Sequence, residues 1–191
     1  MGKILMALST LSVFAIIRLY LRHLRRDFPL AERRPLLSML RLRKKGLYQV
    51  FGLVENGKLV GYGATAGQEN EPLLLDYLAV CQGGRGKGIG SRMLSLLCGQ
   101  MKNMLLAEVE SPLITDDPNE PQMRWRRIRF YERNGFSDTG IRCRLFGVDY
   151  WILAFQPTKD PVRDLEKIYR QLFPPLVFEK QIQILPPSDK A

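Results

Sequence analysis

A glycine-rich turn between an apolar run and an amphipathic segment is the feature that most constrains how this chain folds. Residues 73–80, LLLDYLAV, have the length and composition of a buried strand, and five of the eight residues from Gly83 to Gly90 are glycine. A helical pattern of apolar residues begins near Gly88. This order places the free N–H groups of a first helical turn beside backbone without Cβ atoms, so the segment predicts a phosphate-binding turn.

Spacing within the turn excludes two well-known kinds of glycine-rich loop. A P-loop requires Lys and then Ser or Thr directly after its last glycine, but Ile89 and Gly90 follow Gly88. A dinucleotide-binding fingerprint beginning at Gly84 would need its third glycine at position 89, which is isoleucine. Neither nucleotide-binding motif therefore accounts for this turn.

The pattern that fits is Arg-x-x-Gly-x-Gly in residues 85–90, where Arg85 and Lys87 add two cations that can hold phosphate oxygens. Together with the strand before it, this segment resembles the acyl-CoA loop of the GNAT superfamily of N-acyltransferases. Downstream, a polar loop is expected to about Pro121, and then a short helix in residues 127–136 (RIRFYERNGF) that is closed by Gly135 in a left-handed conformation. These residues are similar to the F-Y-x-x-x-G-F signature of the same superfamily. The resemblance extends roughly from Phe28 to Phe155.

The resemblance implies an α/β (α+β) fold, in which helices flank a mixed central sheet, and an N-acetyltransferase that uses acetyl-CoA. The backbone of Leu78 and Val80 would pair with the pantetheine arm, and the N–H of Val80 or Cys81 would polarise the thioester carbonyl. Tyr131 matches the tyrosine that protonates the departing thiolate. The pyrophosphate of CoA would be held by the loop residues Arg85, Gly86, Lys87, Gly88, Ile89, Gly90 and Ser91.

A general base must take the proton of the acceptor amine, and three carboxylates on the predicted strands are candidates. Glu110 is the first choice, followed by Asp76 and then Glu108. Because side chains alternate along a strand, Glu108 and Glu110 are expected to face the same side of the sheet. An ordered water molecule is the alternative base.

Direct transfer in a ternary complex is expected, rather than an acyl-cysteine intermediate. Cys81 stands beside the expected acyl site, but a nucleophilic cysteine needs an activating base, and His23, the single histidine, is far away in the sequence. The acceptor is expected to be a primary amine of a small molecule or a protein. A non-catalytic acyl-CoA sensor on the same fold is the alternative.

Composition limits the other classes of function. Three cysteines without close pairing and a single histidine predict neither a disulfide framework nor a structural metal. The net charge of +10 is concentrated in residues 18–45 and 124–144. A solvated cationic surface is the favoured interpretation and an RNA-associated or ribosome-associated protein the less favoured one, because no nucleic-acid-binding motif accompanies the charge.

The N-terminus admits two interpretations. Residues 4–17 are largely apolar, with the length of a signal-peptide core but too short to cross a bilayer, and no cleavage site follows. The favoured alternative is a strand from Lys3 to Leu8 and a helix capped by Ser9 or Thr10, which predicts a cytoplasmic protein. A membrane association through residues 4–17 stays open.

The remaining pattern predicts a domain of residues 1–157 and a tail of residues 158–191. Asn56-Gly57 between apolar runs predicts a hairpin, and a helix is expected from about Gly88 to Lys102. In the tail, Asp160 and Pro161 begin a helix, and residues 176–185 are expected to be a strand or an extended arm. The tail is expected to pack on the domain or to form a homodimer.

Overall fold

One mixed sheet of eight strands organises the chain in the computed structural model, which describes residues 6–101, 103–114, 120–185 and 187. The strand order is β1-β2-β3-β4-β5-β7-β6-β8. The strands are β1 (Met6–Thr10), β2 (Tyr48–Glu55), β3 (Lys58–Ala66), β4 (Leu73–Val80), β5 (Leu105–Glu110), β6 (Ser137–Leu145), β7 (Val148–Phe155) and β8 (Ile182–Leu185). This mixed sheet confirms the predicted fold class.

Helices cover both faces of the sheet. They are α1 (Val13–Leu19), α2 (Arg25–Asp27), α3 (Leu36–Lys44), α4 (Ile89–Gln100), α5 (Glu120–Arg133), α6 (Pro161–Leu172) and α7 (Pro175–Gln181). A π-helical turn, Tyr20–Leu24, joins α1 to α2, and a 3₁₀ turn spans Leu30–Glu32. Buried side chains of α1, α3 and α6 share one core cluster, whereas α4 and α5 contribute to a second cluster.

Local sequence signals explain several of these elements. Asn56 and Gly57 have φ angles of 48° and 77°, as the turn of a two-residue hairpin requires, and they connect β2 to β3. The predicted helix after the glycine turn is α4, in which Ile89, Met93 and Leu97 are buried. The turn and the helix form as predicted because the conformation of each depends mainly on residues that lie within a few positions of one another in the sequence.

Strands β4 and β5 separate from each other, and the candidate site lies in the opening between them. These two strands pair in parallel only from Leu73 to Leu75 and from Leu105 to Ala107. Beyond those residues β4 continues to Val80 and β5 to Glu110. The two strands therefore separate towards their carboxyl ends, and a cleft opens between them.

The N-terminal prediction needs a correction of two to three residues. The described part of the first strand is Met6–Thr10, and residues 3–5 of the predicted strand lie outside the described residues. The N-cap of α1 is Ser12, whose side chain accepts a hydrogen bond from the Ala15 N–H at 3.3 Å, rather than Ser9 or Thr10, which belong to β1. Within the described part of the chain, no helix is long and apolar enough to span a bilayer.

The C-terminal prediction is correct for the helix and incomplete beyond it. Asp160 caps α6 by accepting from the Arg163 N–H at 3.1 Å, with Pro161 at the first helical position. Residues 176–185 were expected to be extended, but Pro175 begins the short helix α7 and only β8 is extended. A proline favours the first turn of a helix, which accounts for the difference. β8 pairs with β6 at the edge of the sheet.

Helix α5 is longer than the predicted helix, which was expected over residues 127–136. It begins at Glu120 and ends at Arg133, so it takes in part of the segment that was expected to be a polar loop. Of that loop, residues 115–119 lie outside the described residues. Gly135 follows with a φ of 88°, the left-handed conformation predicted after this helix.

Candidate active site

A cleft of about 580 Å³ lies between the separated ends of β4 and β5. Its walls come from both strands, from α5, from β7 and from the segment that precedes α3. The side chains in the walls that carry a titratable group are Glu32, Asp76, Tyr77, Arg85, Glu108, Glu110, Arg126, Arg127, Tyr131 and Tyr150. The cleft thus joins the glycine turn, through Arg85, to most of the predicted catalytic residues.

The glycine turn forms a concave backbone surface at one end of this cleft. Gly83, Gly86 and Gly88 have φ angles of 83°, 79° and 74°, a conformation that other residues rarely adopt. Gly88 is the N-cap of α4 and provides no side-chain cap. The first-turn N–H groups, from Ile89 to Ser91, precede the first N–H with a helical partner, that of Arg92. These groups can bind an anion, and Arg85 and Lys87 are exposed beside them.

The register of β4 decides which backbone groups face the opening. The Cys81 N–H donates to the Val60 carbonyl oxygen at 2.9 Å, so it is not available to a thioester carbonyl. Val80 lies opposite Gly61, and Leu78 lies opposite Gly63. Because backbone groups of neighbouring residues point to opposite sides of a strand, those of Val80 and Leu78 face away from β3 and towards the opening. Of the two predicted oxyanion donors, only Val80 fits.

Tyr131 lies on α5 and lines the cleft. Its half-buried ring makes edge contacts with Phe130 and Phe136, with ring centroids 5.3 Å and 5.2 Å apart. No described residue forms a hydrogen bond with its hydroxyl group. Burial raises the pKa of Tyr131 to about 12, so the phenol is protonated at neutral pH and can serve as a proton donor.

Glu110, the first predicted base, forms two ion pairs at the edge of the cleft. Its carboxylate lies 3.3 Å from Arg124 Nε and 3.2 Å from Arg127 Nη1. Both contacts are made by the same carboxylate oxygen, Oε2. Glu110 is therefore suited to hold arginine side chains in place rather than to accept a proton.

Asp76, the second predicted base, has both carboxylate oxygens engaged. Arg34 contacts them in a bidentate pair, with distances of 2.9 Å and 3.1 Å, and the Tyr48 hydroxyl donates to Oδ2 at 2.5 Å. Both members of the ion pair are largely buried. The arrangement fixes the segment before α3 to β4, which is a structural task.

Glu108, the third predicted base, has the environment that a proton acceptor requires. Its carboxylate lines the cleft and accepts a hydrogen bond from the Tyr169 hydroxyl at 2.6 Å. Burial raises the pKa of Glu108 to about 7, and the hydrogen bond from Tyr169 opposes that rise. The three carboxylates thus differ in their surroundings, because their partners come from distant parts of the sequence.

Sequence reasoning did not single out Glu32 and Tyr150, which also line the cleft. Burial, and next the neighbouring Glu110, raise the pKa of Glu32. Its carboxylate forms no ion pair or hydrogen bond with a described residue, while its backbone carbonyl accepts from the Tyr77 hydroxyl at 2.9 Å. The available signal was the phrase FPLAERRP at residues 28–35, which contains Glu32 and lies at the start of the segment that resembles the family.

The structure brings His23 close to Cys81, although they are far apart in the sequence. His23 Nδ1 lies 3.9 Å from Cys81 Sγ. Burial, and next the charge of Asp27, raise the pKa of the Cys81 thiol. The thiol therefore stays protonated at neutral pH, and neither residue lines the cleft, so the pair lacks the character of an activated nucleophile. Among the described residues, no group of three His, Cys, Asp or Glu could hold a metal ion.

Comparison with known proteins agrees with this geometry. The family model of the acetyltransferase (GNAT) domain matches residues 46–138, which include β4, the glycine turn and Tyr131. No curated protein sequence matches the chain. Solved structures do match, and their low sequence identities to this chain support a shared fold only.

Three of these structures illustrate the similarity. A GNAT-family acetyltransferase described as putative, from Bacteroides thetaiotaomicron, is 21% identical with a TM-score of 0.68, over 87% of this chain and 95% of that one. The protein yncA from Salmonella typhimurium, also described as a putative acetyltransferase and solved with its cofactor acetyl-CoA, is 19% identical with a TM-score of 0.55, over 81% and 95%. The ribosomal-protein-S18-alanine N-acetyltransferase from Escherichia coli is 19% identical with a TM-score of 0.56, over 82% and 97%. Residues 46–138 therefore match the acetyltransferase (GNAT) domain, and the chain has the GNAT fold.

Proposed function

We propose that this protein is an N-acetyltransferase that moves an acetyl group from acetyl-CoA directly to a primary amine within a ternary complex. One observation carries the proposal: a single cleft connects an anion-binding glycine turn to a free tyrosine hydroxyl and a carboxyl group that titrates near neutrality. The Salmonella typhimurium relative, whose structure contains acetyl-CoA, supports the identity of the donor.

The donor is held by backbone groups of β4 and the glycine turn. The N–H groups from Gly88 to Ser91 bind the pyrophosphate, and Arg85 and Lys87 add charge from the exposed side. The Leu78 and Val80 backbones form hydrogen bonds with the pantetheine arm. The Val80 N–H polarises the thioester carbonyl, and it is aimed by the pairing of β4 with β3.

Proton transfers follow from the protonation states in the cleft. Glu108, as a carboxylate, accepts a proton from the acceptor ammonium group, directly or through water, and the free amine attacks the carbonyl carbon. A C–N bond forms, the C–S bond breaks, and the Tyr131 hydroxyl donates its proton to the departing sulfur. The proton that remains in excess on the new amide nitrogen leaves to water. The tyrosine and the carboxyl group recover their protonation states by exchange with solvent.

The acidic residues of the cleft favour a cationic acceptor, which fits an amine of a small molecule or of a protein. Glu110 is neutralised by arginine, but Glu32 has no ion pair among the described residues and lies in the same cleft. Glu32 is therefore the side chain that we assign to recruiting the ammonium form of the acceptor. The Escherichia coli relative, named for an alanine of a ribosomal protein, is an example of a protein acceptor in this fold.

Replacing Tyr131 by Phe tests the activity and separates it from simple binding. Acetyl-CoA at millimolar concentration should raise the melting temperature of both proteins equally, because the hydroxyl is not needed for binding. Thiol release with a panel of amines should fall about 10²-fold or more in the variant, as expected for the loss of a general acid. A wild-type protein that binds acetyl-CoA but releases no thiol with any amine would instead be a sensor.

A further inference from the structure

The positive charge of this chain is concentrated before β2. Residues 1–47 contain eleven of the 29 Lys and Arg side chains but only two of the 19 Asp and Glu side chains. The remainder of the chain is nearly neutral. Neither acidic residue of this part offsets the charge of the exposed arginines on the first helix. Asp27 forms an ion pair with Arg26 and accepts a hydrogen bond from the Tyr62 hydroxyl, and Glu32 lines the cleft. Such an asymmetry of charge is typical of proteins that bind a polyanionic surface.

Large apolar side chains project from the same region. In the helix formed by α1, the π turn and α2, Phe14 is 86% exposed and Leu21 is 56% exposed. On α3, which packs on the same face of the sheet, Leu37 is 67% exposed. Burying side chains of this size away from water stabilises a complex, so their exposure marks an interaction surface.

The charges and the apolar side chains share one side of the helix. Exposed Arg18, Arg22 and Arg25 alternate with Phe14 and Leu21 at intervals of three or four residues. The opposite side of the helix is occupied by the core, through Ile16, Leu19 and Leu24. The three arginine side chains form no ion pair with any described residue. We call the exposed side chains of Phe14, Arg18, Leu21, Arg22 and Arg25 the basic helical face.

We propose that the basic helical face binds the surface of an anionic lipid bilayer, with its arginines on the headgroups and Phe14 and Leu21 inserted between them. Arginine near the headgroups and apolar side chains below them are the arrangement of interfacial helices. A second copy of this chain fits poorly, because two such faces repel each other. Nucleic acid satisfies the charge and can stack a base on Phe14, but it leaves Leu21 without a partner.

Co-sedimentation of the full-length protein with lipid vesicles tests the proposal. We expect binding to vesicles of phosphatidylglycerol and phosphatidylcholine in equal parts and none to phosphatidylcholine alone. Changing Arg18, Arg22 and Arg25 together to Gln should weaken binding about a hundredfold, because each arginine contributes about a factor of five near an anionic surface. The double change Phe14→Ser and Leu21→Ser should weaken it roughly tenfold.

Matched variants control for charge and hydrophobicity. Arg144, Arg163 and Lys180 changed to Gln remove the same charge from exposed positions elsewhere, and Leu176→Ser with Leu185→Ser removes exposed apolar groups of similar size. Both controls should bind as the wild type does. Thermal stabilisation by acetyl-CoA should persist in all four variants, which shows that each is folded.

Three results would overturn the proposal. The first is the absence of binding to anionic vesicles at low salt. The second is tighter binding to poly(U) than to anionic vesicles that is lost when the three arginines are changed, which would assign the face to nucleic acid. The third is a dimer in solution that dissociates on the Phe14 and Leu21 changes, which would assign it to a second copy of the chain.

Discussion

At the scale of single residues, environment separates the three carboxylates that the sequence offers as candidate bases. Glu110 faces two arginines, Asp76 is held by Arg34 and Tyr48, and Glu108 accepts one hydrogen bond in a buried site. In the last arrangement, burial raises the pKa of the carboxyl group to about 7. Its position in the cleft makes Glu108 the residue on which a pH dependence of activity should rest.

We expect kcat/KM of the wild type to rise with pH and to level off above about pH 7, as Glu108 becomes a carboxylate. Glu108→Gln should lower the plateau about 10²-fold to 10⁴-fold and remove this limb of the profile. Glu110→Gln serves as the control and should retain the limb. An unchanged limb in Glu108→Gln would assign the titration to another group.

The same carboxyl group should affect stability. Its pKa is raised from 4.5 to about 7 in the folded protein, so the folded state binds the proton more tightly than the unfolded state. Stability should therefore fall as pH rises from about 4.5 to 7, by on the order of 2–3 kcal/mol. Urea unfolding of the wild type and of Glu108→Gln at both pH values measures how much the free energy of unfolding changes with pH in each protein. An equal change in the two proteins would contradict the contribution of Glu108.

At the scale of secondary-structure elements, α6 completes a site that the strands and the glycine turn begin. This helix lies outside residues 46–138, where the family model matches, yet its Tyr169 donates to Glu108 and lies 3.5 Å from Cys143 Sγ. Its apolar residues Leu165, Ile168 and Leu172 are buried in the core shared with α1 and α3. The packing of α6 thus sets the position of the Tyr169 hydroxyl.

Several groups influence the titration of Glu108 from the elements around it. A hydrogen bond to the carboxylate favours its charged form, and so does a nearby guanidinium, whereas a second carboxylate disfavours it. The groups that interact with Glu108 are Arg34, Asp76, Tyr131, Cys143, Tyr150 and Tyr169. Tyr169 is the one that donates a hydrogen bond to it.

Tyr169→Phe should therefore raise the pKa of Glu108 and move the limb of kcat/KM to higher pH. Activity at pH 7 should fall severalfold, while the plateau at high pH is retained, because the base itself remains. Tyr62→Phe is a matched control, since this buried tyrosine donates to Asp27 at 2.9 Å outside the cleft. A shift of equal size in both variants would indicate a general loss of structure.

At the scale of the whole molecule, Arg34 ties together parts of the chain that are distant in sequence. Its guanidinium pairs with Asp76 and lies 5.4 Å from the ring centroid of Phe173, and its backbone N–H donates to the Tyr77 hydroxyl at 2.7 Å. The segment before α3, the central strand β4 and the end of α6 therefore meet at one buried ion pair. Removal of one partner would leave a buried charge without compensation.

Asp76→Asn should lower the free energy of unfolding by about 3–5 kcal/mol, as measured by urea denaturation. The double change Arg34→Met and Asp76→Leu should recover much of the loss, because no charge is then buried alone. The exposed pair of Arg170 and Glu166 is the control, and Glu166→Gln should cost less than about 1 kcal/mol. A loss below about 1 kcal/mol for Asp76→Asn would contradict the structural role.

The sequence by itself determined the local parts of the site and the fold. The Asn56-Gly57 hairpin, the glycine turn before α4 and the Asp160 cap of α6 each depend on residues within about four positions, where turn and capping preferences act. Only the tertiary structure decided the pairs of Glu108 with Tyr169, Arg34 with Asp76 and His23 with Cys81, which are 61, 42 and 58 residues apart. Proton affinity depends on burial and on neighbouring charges, and both are set when distant segments pack together, so the carboxylate suited to act as the base could be chosen only after folding.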